Sequence, residues 1–408
     1  PPPSEQEQAV PGKMFPGNRP SWMAYIPIAL VALIGVLVTW QAFNAATGWE
    51  RQRVQQAFRA AALDRILMVQ REIEQNLGVV QDIGSFFGAS RWVDRREFRK
   101  FVEPALKRYT SITALQWIPR LSAAERISFE EEARRSFARF RITETNQKGD
   151  LVRAGKRPVH FPVLYVQPYQ LNKQALGLDL AADPVVLEAL QQTRDSGQMR
   201  ISPLIPLERE SIIEYGFAAR LAVYNKADTN EIEAEDEEED APPDTPEQRQ
   251  QLLRGFAAGF FILADIVEDA LQNLSPSGID IVFHDVSAPD ERHYLYRHAS
   301  RIRPAKSGLR TPENSESRKP REFVQTINVR DRQWEVLCTS VPGFFQPDPW
   351  SGWVTLAGGL PFTALLAIYL STLVGRTAKV KRLVTERTIQ LVEVNAELNN
   401  EINERLNA

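Results

Sequence analysis

Two uncharged apolar stretches, residues 23–43 and 352–375, constrain this 408-residue chain more than any motif in it. Each has about 20 residues or more, which is enough for a helix to cross the roughly 30 Å hydrocarbon core of a bilayer. The roughly 300 residues between two such spans must lie on the opposite side of the membrane from both termini. The sequence therefore predicts the layout of a membrane receptor and not that of a soluble enzyme.

The orientation follows from the second stretch, because Asp348 is the only charge just before it and four basic residues come after it. The four are Arg376, Lys379, Lys381 and Arg382. The positive-inside rule places this end in the cytoplasm, and with two spans the tail of residues 1–21 returns there as well. The alternative for the first stretch is a cleaved signal peptide, although its apolar run exceeds the usual length of roughly 7–15 residues.

Charge and motif content exclude several function classes. The net charge of −3 gives no support for nucleic-acid binding, which needs a concentrated basic face. The single cysteine, Cys338, cannot form an internal disulfide. The sequence has no phosphate-binding glycine loop, no Gly-x-Ser-x-Gly motif and no Cys-x-x-Cys pair, and its four histidines lack a metal-ligand spacing. We predict no catalytic residue, no metal site and no cofactor.

Helical patterns flank both spans. Apolar residues recur at steps of three and four between Val54 and Phe87, which predicts a stalk helix of about 35 residues within residues 45–95. After the second span, residues 376–408 carry an imperfect heptad seam that is typical of a parallel coiled coil. Its members are Val380, Val384, Leu391, Val394, Leu398 and Ile402. The chain starts without methionine and stops within this pattern, so we expect a segment of a longer protein.

An acidic run followed by prolines divides the middle of the chain at residues 226–251, which we predict to be a disordered loop. A calcium site is the alternative, but the run lacks the glycine turn and spaced ligands of a calcium loop. Order resumes at Thr245-Pro246-Glu247-Gln248, the pattern of a helix N-terminus with a capping box.

Before the loop, the patterns predict helices over 92–109 and 123–140, and a third from Asp183-Pro184 to Gly197. Predicted strands cover 114–121, 159–166 and 215–224. After the loop we predict a strand over 256–263, a helix capped by Asp265 with Glu268, and an antiparallel sheet. Its strands are 279–286, 293–298, 323–329 and 333–340, with a tight turn at 330–332. Two α+β sandwiches of about 100 residues each are consistent with this order.

Several segments resemble the CHASE sensory domain: FPVLYVQPYQLNKQALGLDLAADPVVLEALQQTRDSGQMRISPLIPL, YGFAARLAVY, TPEQRQQLLRGFAAGFFILADIVEDAL and RQWEVLCTSVPGFF. The resemblance covers about residues 73–345. It implies two tandem PAS-like modules, with ligand bound in the membrane-distal one. Family members include plant cytokinin receptors and many bacterial histidine kinases and diguanylate cyclases. The expected fold class is an α+β membrane protein with two transmembrane helices, a stalk helix, two PAS-like modules and a cytoplasmic coiled-coil signalling helix.

On this basis the expected domains are a cytoplasmic tail (1–21), a first span (22–44), the stalk helix (45–95), a membrane-distal module (96–225) and the acidic loop (226–251). A membrane-proximal module (252–347), a second span (351–375) and the signalling helix (376–408) complete them. An adenine-reading aspartate of the cytokinin receptors corresponds to Gln170 here, so cytokinin itself is not the expected ligand. The resemblance implies ligand contacts at Gln167, Tyr169, Gln170, Ser202, Phe217 and Ala219, and a structural role for Asp179. For Phe217 and Ala219, the strand register decides between the pocket and the outer surface.

The leading hypothesis is the sensory part of a homodimeric receptor in a bacterial cytoplasmic membrane, with a periplasmic domain that binds a small molecule. The dimer would form through the stalk helix and the coiled coil, and the output domain would be a histidine kinase of a two-component system or, second, a diguanylate cyclase. The alternative is a membrane-anchored docking subunit that uses the CHASE-like domain for protein contacts, with the acidic loop as a contact. Loss of co-purifying partners on deleting residues 231–240 would favour that alternative.

Overall fold

The structure, a computed structural model, describes Met23 and residues 25–209, 212–225, 243, 245–288, 291–302 and 320–407. The predicted cytoplasmic tail and nearly all of the acidic run lie outside the described residues. The chain divides into two compact units, Pro1–Val54 with Gln346–Ala408, and Gln55–Phe345. Each unit is described by itself below.

The helices are α1 (Ile26–Ala89), α2 (Arg95–Arg108), α3 (Arg126–Ser136), α4 (Pro184–Ser196), α5 (Pro246–Leu252), α6 (Leu263–Gln272) and α7 (Trp350–Asn407). The strands before the acidic run are β1 (Ile112–Pro119), β2 (Leu121–Ser122), β3 (Thr143–Thr145), β4 (Leu151–Arg153), β5 (Val159–His160), β6 (Tyr165–Gln167), β7 (Arg200–Ile201), β8 (Ile205–Arg209) and β9 (Ile212–Tyr224). The later strands are β10 (Leu253–Ile262), β11 (Ile279–Ala288), β12 (Glu291–His298), β13 (Glu322–Val329) and β14 (Arg332–Ser340). The predicted mixture of helices and strands is confirmed.

The first unit contains the apolar parts of α1 and α7, the two helices of the described chain that are long and apolar enough to cross a membrane. Small residues bring these two helices into close contact. A Cβ atom added to Gly35 would lie 2.5 Å from Cγ2 of Thr363, and one added to Gly359 would lie 2.5 Å from Cγ2 of Thr39. Close backbone approach through small residues is the usual way in which helices associate in lipid.

In the second unit, one face of α1 is buried in the hydrophobic core. The predicted apolar residues from Phe58 to Phe87 are all buried, which confirms the stripe read from the sequence. Arg254 of β10 stabilises the end of this helix, because its guanidinium donates to the carbonyls of Phe87, Ser90 and Arg91. A cation at a helix C-terminus also interacts favourably with the helix dipole.

The first sheet has the strand order β6-β1-β10-β9-β7, with β8 also paired to β9. Its strands are antiparallel wherever they pair. Helix α4, which lies between β6 and β7 in the chain, follows the predicted signals. Asp183 caps its first turn, Pro184 is its first residue, and Gly197 ends it with a φ of 67°. The capping box at Thr245 and Gln248 likewise begins α5.

The second sheet has the order β12-β11-β14-β13 and is antiparallel, as predicted. Its β13–β14 turn joins other elements: Asp331 accepts a hydrogen bond from the Ile201 amide at 2.8 Å and pairs with Arg200 at 3.2 Å. Arg330 of the same turn pairs with Glu74 of α1 at 2.7 Å. This turn therefore ties the second sheet to both β7 and the stalk helix.

Two local predictions are wrong. Helix α6 begins directly after β10 with Ile262 as its N-cap, so Asp265 does not cap it but lies in its first turn. The predicted strand over 159–166 is split into β5 and β6. Pro162 lies between them, and proline cannot donate a ladder hydrogen bond.

Candidate functional site

The two faces of the first sheet pack against different elements. One face packs against α1, since Trp117 stacks on Phe87 of that helix with ring centroids 3.8 Å apart, and we call it the α1 face. It carries Leu115, Trp117, Phe217, Ala219 and Phe261. Strand alternation places the intervening residues on the opposite face, which we call the α4 face. Its members are Ala114, Gln116, Ile118, Ala218, Arg220, Ala222, Phe256 and Ala258.

Helix α4 and a covering segment, the part of residues 161–182 outside β6, close over the α4 face. Phe161 lies edge-on to Phe256 with ring centroids 5.4 Å apart, and Leu190 of α4 is fully buried in the same apolar cluster. Four members of the α4 face are alanines, and all four are buried beneath the cover. The face is therefore an enclosed apolar layer with small residues at its floor.

Two polar side chains interrupt this layer. Gln116 is 5% exposed and Arg220 is 7% exposed. The Oε1 atom of Gln116 and the Nε atom of Arg220 are both buried without a hydrogen-bond partner among the described residues. A buried polar atom without a partner costs free energy, so native proteins satisfy nearly all of them. Because both atoms lie on one face, this row is the candidate site for a further group.

The register places these two side chains in one row. Gln116 pairs with Ala258, and Ala258 pairs in turn with Arg220. Two strand spacings of about 4.8 Å separate the two backbones by ~10 Å. Only the methyl group of Ala258 lies between them in the row, so Gln116 and Arg220 can flank one small molecule that lies over Ala258.

Burial sets the electrostatics of this row. Desolvation lowers the pKa of Arg220 to about 10, while the charge of Asp183 acts in the opposite direction. A guanidinium with that pKa remains protonated at neutral pH. Asp183 is exposed, and its Oδ1 accepts the Val185 amide of α4 at 2.9 Å. The α4 face thus presents a positive charge that no carboxylate of the described chain contacts directly.

Asp179 holds the covering segment in place. Its carboxylate is fully buried and accepts from His160 Nδ1 at 2.6 Å, Arg157 at 2.6 Å and the Phe161 amide at 2.8 Å. Arg157 also pairs with Glu144 at 2.7 Å. Burial alone would raise the pKa of Asp179, but these hydrogen bonds outweigh it and hold the pKa below its ordinary value.

Three of the six predicted ligand contacts lie near the end of β6. Gln167 is half-buried in register with Leu115, and its Oε1 accepts the Tyr169 amide at 3.3 Å. Tyr169 is half-buried, with its ring 5.9 Å from that of Phe137. Gln170 is exposed. None of these three shares the row of Gln116 and Arg220.

The other three lie on or beside β9. Ser202 is in register with Ala218 on the α4 face, but its hydroxyl already accepts the Ala218 amide at 2.9 Å and donates to the Pro203 carbonyl at 2.7 Å. Phe217 and Ala219 are buried on the α1 face. There the Phe217 ring lies edge-on to the Trp334 ring of the second sheet, with centroids 5.6 Å apart. Ser202 is therefore the one predicted contact that lies on the same face as Arg220.

Gln116 and Arg220 are residues that the sequence reasoning missed. Each stands in an otherwise apolar strand, in the runs ITALQWIP and FAARLAV. A polar residue at a strand position that alternation predicts to be buried was the available signal. The strand pairing that joins the two residues could not be read from the sequence.

Comparisons with known proteins concern the whole domain. A family model described as the CHASE domain matches residues 91–296. The periplasmic sensory domain of the Campylobacter jejuni chemoreceptor Tlp1 is similar over 74% of this chain and 96% of its own, at 11% identity and a TM-score of 0.37. The ligand-binding domain of the Pseudomonas aeruginosa PAO1 amino acid chemoreceptor PctC, solved with GABA, is similar over 69% and 99%, at 11% identity and a TM-score of 0.34. No curated protein matches the chain.

Proposed function

This chain belongs to the CHASE-domain family, and we propose that it is the sensory and transmembrane-signalling part of a homodimeric receptor. A small molecule binds in the extracytoplasmic domain and regulates an output domain, with a histidine kinase as the first candidate and a diguanylate cyclase as the second. The observation that carries this proposal is the position of the CHASE match, residues 91–296, between two apolar helices.

The helices supply a route for the signal. Helix α1 is continuous over 64 residues, from the apolar stretch to the buried stripe of the second unit. Helix α7 is continuous over 58 residues, from the second apolar stretch into the heptad pattern. A ligand can shift the equilibrium between two arrangements of this helix pair only by the difference in its binding free energy for the two arrangements.

We place the ligand in the membrane-distal module, on the α4 face of the first sheet. The buried atoms of Gln116 and Arg220 that lack partners support this location, since a ligand would supply the missing contacts. The two sheets would then be the tandem PAS-like modules expected from the family, the first binding ligand and the second passing the change on.

The proposed topology puts both termini in the cytoplasm of a bacterium and the CHASE domain in the periplasm. It rests on the four basic residues that follow the second apolar stretch, from Arg376 to Arg382. The proposed contacts with other molecules are the lipid bilayer, a second copy of the chain and the small-molecule ligand, with no nucleic acid.

A thermal-shift screen of the full chain in detergent micelles tests the ligand-binding function. The compounds are small anionic, neutral and cationic metabolites, and intrinsic tryptophan fluorescence reports unfolding. A ligand that binds only the folded state raises the unfolding temperature in proportion to the logarithm of its concentration. We expect at least one class to do so, and a chain that responds to no class would contradict the sensory function.

A further inference from the structure

We propose that the α4 face binds a small organic carboxylate that also carries a hydrogen-bond donor, with Arg220 holding the carboxylate and Gln116 accepting from the donor. This inference rests on the proposed sensory function and names the ligand class of that site. The two residues are not among the family contacts expected from the sequence.

The charge of Arg220 selects an anion. A buried cation without a counter-ion is costly, and a bound anion removes that cost. The charge that most offsets it, Asp183, lies outside the buried layer with its carboxylate bound to the α4 amide nitrogens. Among the residues that the structure describes, no carboxylate directly neutralises the charge of Arg220.

The unpartnered atoms select the shape of that anion. Arg220 Nε has no partner in the described part of the chain, and together with a terminal nitrogen it forms an edge that can donate two parallel hydrogen bonds. The planar carboxylate matches this edge through its two oxygens. A carboxylate is therefore a closer match than a spherical anion such as chloride.

The second unpartnered atom, Gln116 Oε1, requires a hydrogen-bond donor in the ligand. Gln116 Oε1 is an acceptor, so its partner must carry an N–H or O–H group. Because the Gln116 and Arg220 backbones are ~10 Å apart and both side chains extend from the sheet, the carboxylate and the donor belong to one short molecule. Hydroxy acids and amino acids have this combination of groups.

The residues beneath the body of that molecule would be small. Ala258 lies between Gln116 and Arg220 in the row, and Ala218 and Ala222 flank Arg220 along β9. Larger residues at these positions would collide with a molecule bound over Ala258. The covering segment, held by Asp179, closes the site from the other side and excludes water, which strengthens each polar contact.

Glycolate is the minimal probe of this class, since it has a carboxylate and one hydroxyl donor. Its matched comparisons are glycolamide, which lacks the charge, acetate, which lacks the donor, and inorganic phosphate, which is a different anion. At ten times its dissociation constant, glycolate should raise the unfolding temperature of the full chain in micelles by about 3 °C. Acetate should raise the unfolding temperature by less. Glycolamide, phosphate and chloride at equal ionic strength should not raise it.

Variants assign the effect to the two residues. Arg220→Met should abolish the glycolate shift without lowering the ligand-free unfolding temperature, because it removes an unpaired buried charge. Gln116→Leu should reduce the glycolate response to that of acetate. Arg332→Met is the matched control: it removes an arginine of β14 that is paired with Asp285 at 2.6 Å, so it should destabilise the domain and leave the glycolate shift intact.

If Arg220→Met does not fold, Arg220→Lys serves instead, since lysine keeps the charge but cannot form the paired hydrogen bonds and should lose most of the shift. The proposal is overturned if glycolate gives no shift beyond chloride, if glycolamide matches glycolate, or if Arg220→Met retains the response. A neutral metabolite that stabilises the chain while glycolate does not would overturn the ligand class and leave the sensory function standing.

Discussion

Asp179 shows how a single carboxylate can fix the cover of a binding face. It lies in the covering segment and holds together His160, Arg157 and two backbone amides, those of Phe161 and Ala181. Such a network is worth little if one partner is missing, because the remaining polar groups stay buried. The stability of the cover therefore depends on the ionised form of this one residue.

Replacing Asp179 should destabilise the domain in a pH-dependent way. Asp179→Asn removes the charged acceptor that the buried His160 ring contacts and leaves Arg157 with Glu144, so it should cost about 3 kcal/mol of unfolding free energy at pH 7. Because the folded-state pKa is lowered from 3.8, the wild-type advantage is complete above that value and declines as the pH falls through the lower folded-state pKa. Thermal unfolding between pH 3 and 7 measures it.

The control for this experiment is Asp150→Asn, at an exposed aspartate of the β3–β4 turn. It should change the unfolding temperature by little at any pH in the range. A cost of Asp179→Asn that equals that of Asp150→Asn, or that stays constant down to pH 3, would show that the network does not hold the covering segment.

At the scale of elements, the contact between α1 and α7 depends on two reciprocal glycine–threonine pairs. Gly35 faces Thr363 and Gly359 faces Thr39, and each threonine hydroxyl donates to the carbonyl of the glycine four residues before it. The hydroxyls are thus satisfied within their own helices, and close packing is what joins the two helices.

A disulfide tests this contact. A Cβ at Gly35 would lie 3.2 Å from Thr363 Cβ, near the ~3.5–4.5 Å of disulfides, so the pair Gly35→Cys and Thr363→Cys should oxidise within one chain. Native Cys338 should not interfere, because burial raises its pKa to about 12. Non-reducing gel mobility and peptide mass measure the bond.

Adding Gly359→Ile should slow this oxidation, since the larger side chain collides with Thr39. Gly358→Ile is its matched control, because nothing lies within 4 Å of a Cβ at Gly358. Equal oxidation in both backgrounds, or a bond that forms only between chains, would contradict the packing described for α1 and α7.

The elements differ in how far the sequence predicts them. The stripe from Phe58 to Phe87 and the α4 signals at Asp183 and Gly197 were predicted correctly, because helix periodicity and capping act over a few residues. The split of the strand predicted over 159–166 was missed, although Pro162 marks it in the sequence. The direct passage from β10 to α6 was missed as well, since tertiary pairing decided it. The row of Gln116 and Arg220 lay beyond prediction for the same reason: it exists only once β10 pairs with both β1 and β9.

At the scale of the whole molecule, one long apolar stripe is exposed in the part of the chain that the structure describes. Val380, Leu391 and Leu398 of α7 are each more than half exposed, and they share a helix face with Val384 and Val394. Exposed apolar residues at steps of three and four are typical of a surface that packs against another helix. A second copy of α7 in parallel would cover the stripe, as the proposed homodimer requires.

Cysteine cross-linking in native membranes tests that dimer. With Leu391 and Leu398 at a positions of the heptad, Ala396 falls on the outer face of the same helix. Leu391→Cys should form a disulfide between two chains under mild oxidation, whereas Ala396→Cys should form it several times more slowly, because the outer faces point away from each other. Both positions lie on α7 beyond the apolar stretch, so oxidant access is the same. Similar rates at the two positions would show that the stripe does not pair in register, and the signal would then need a route other than a parallel coiled coil.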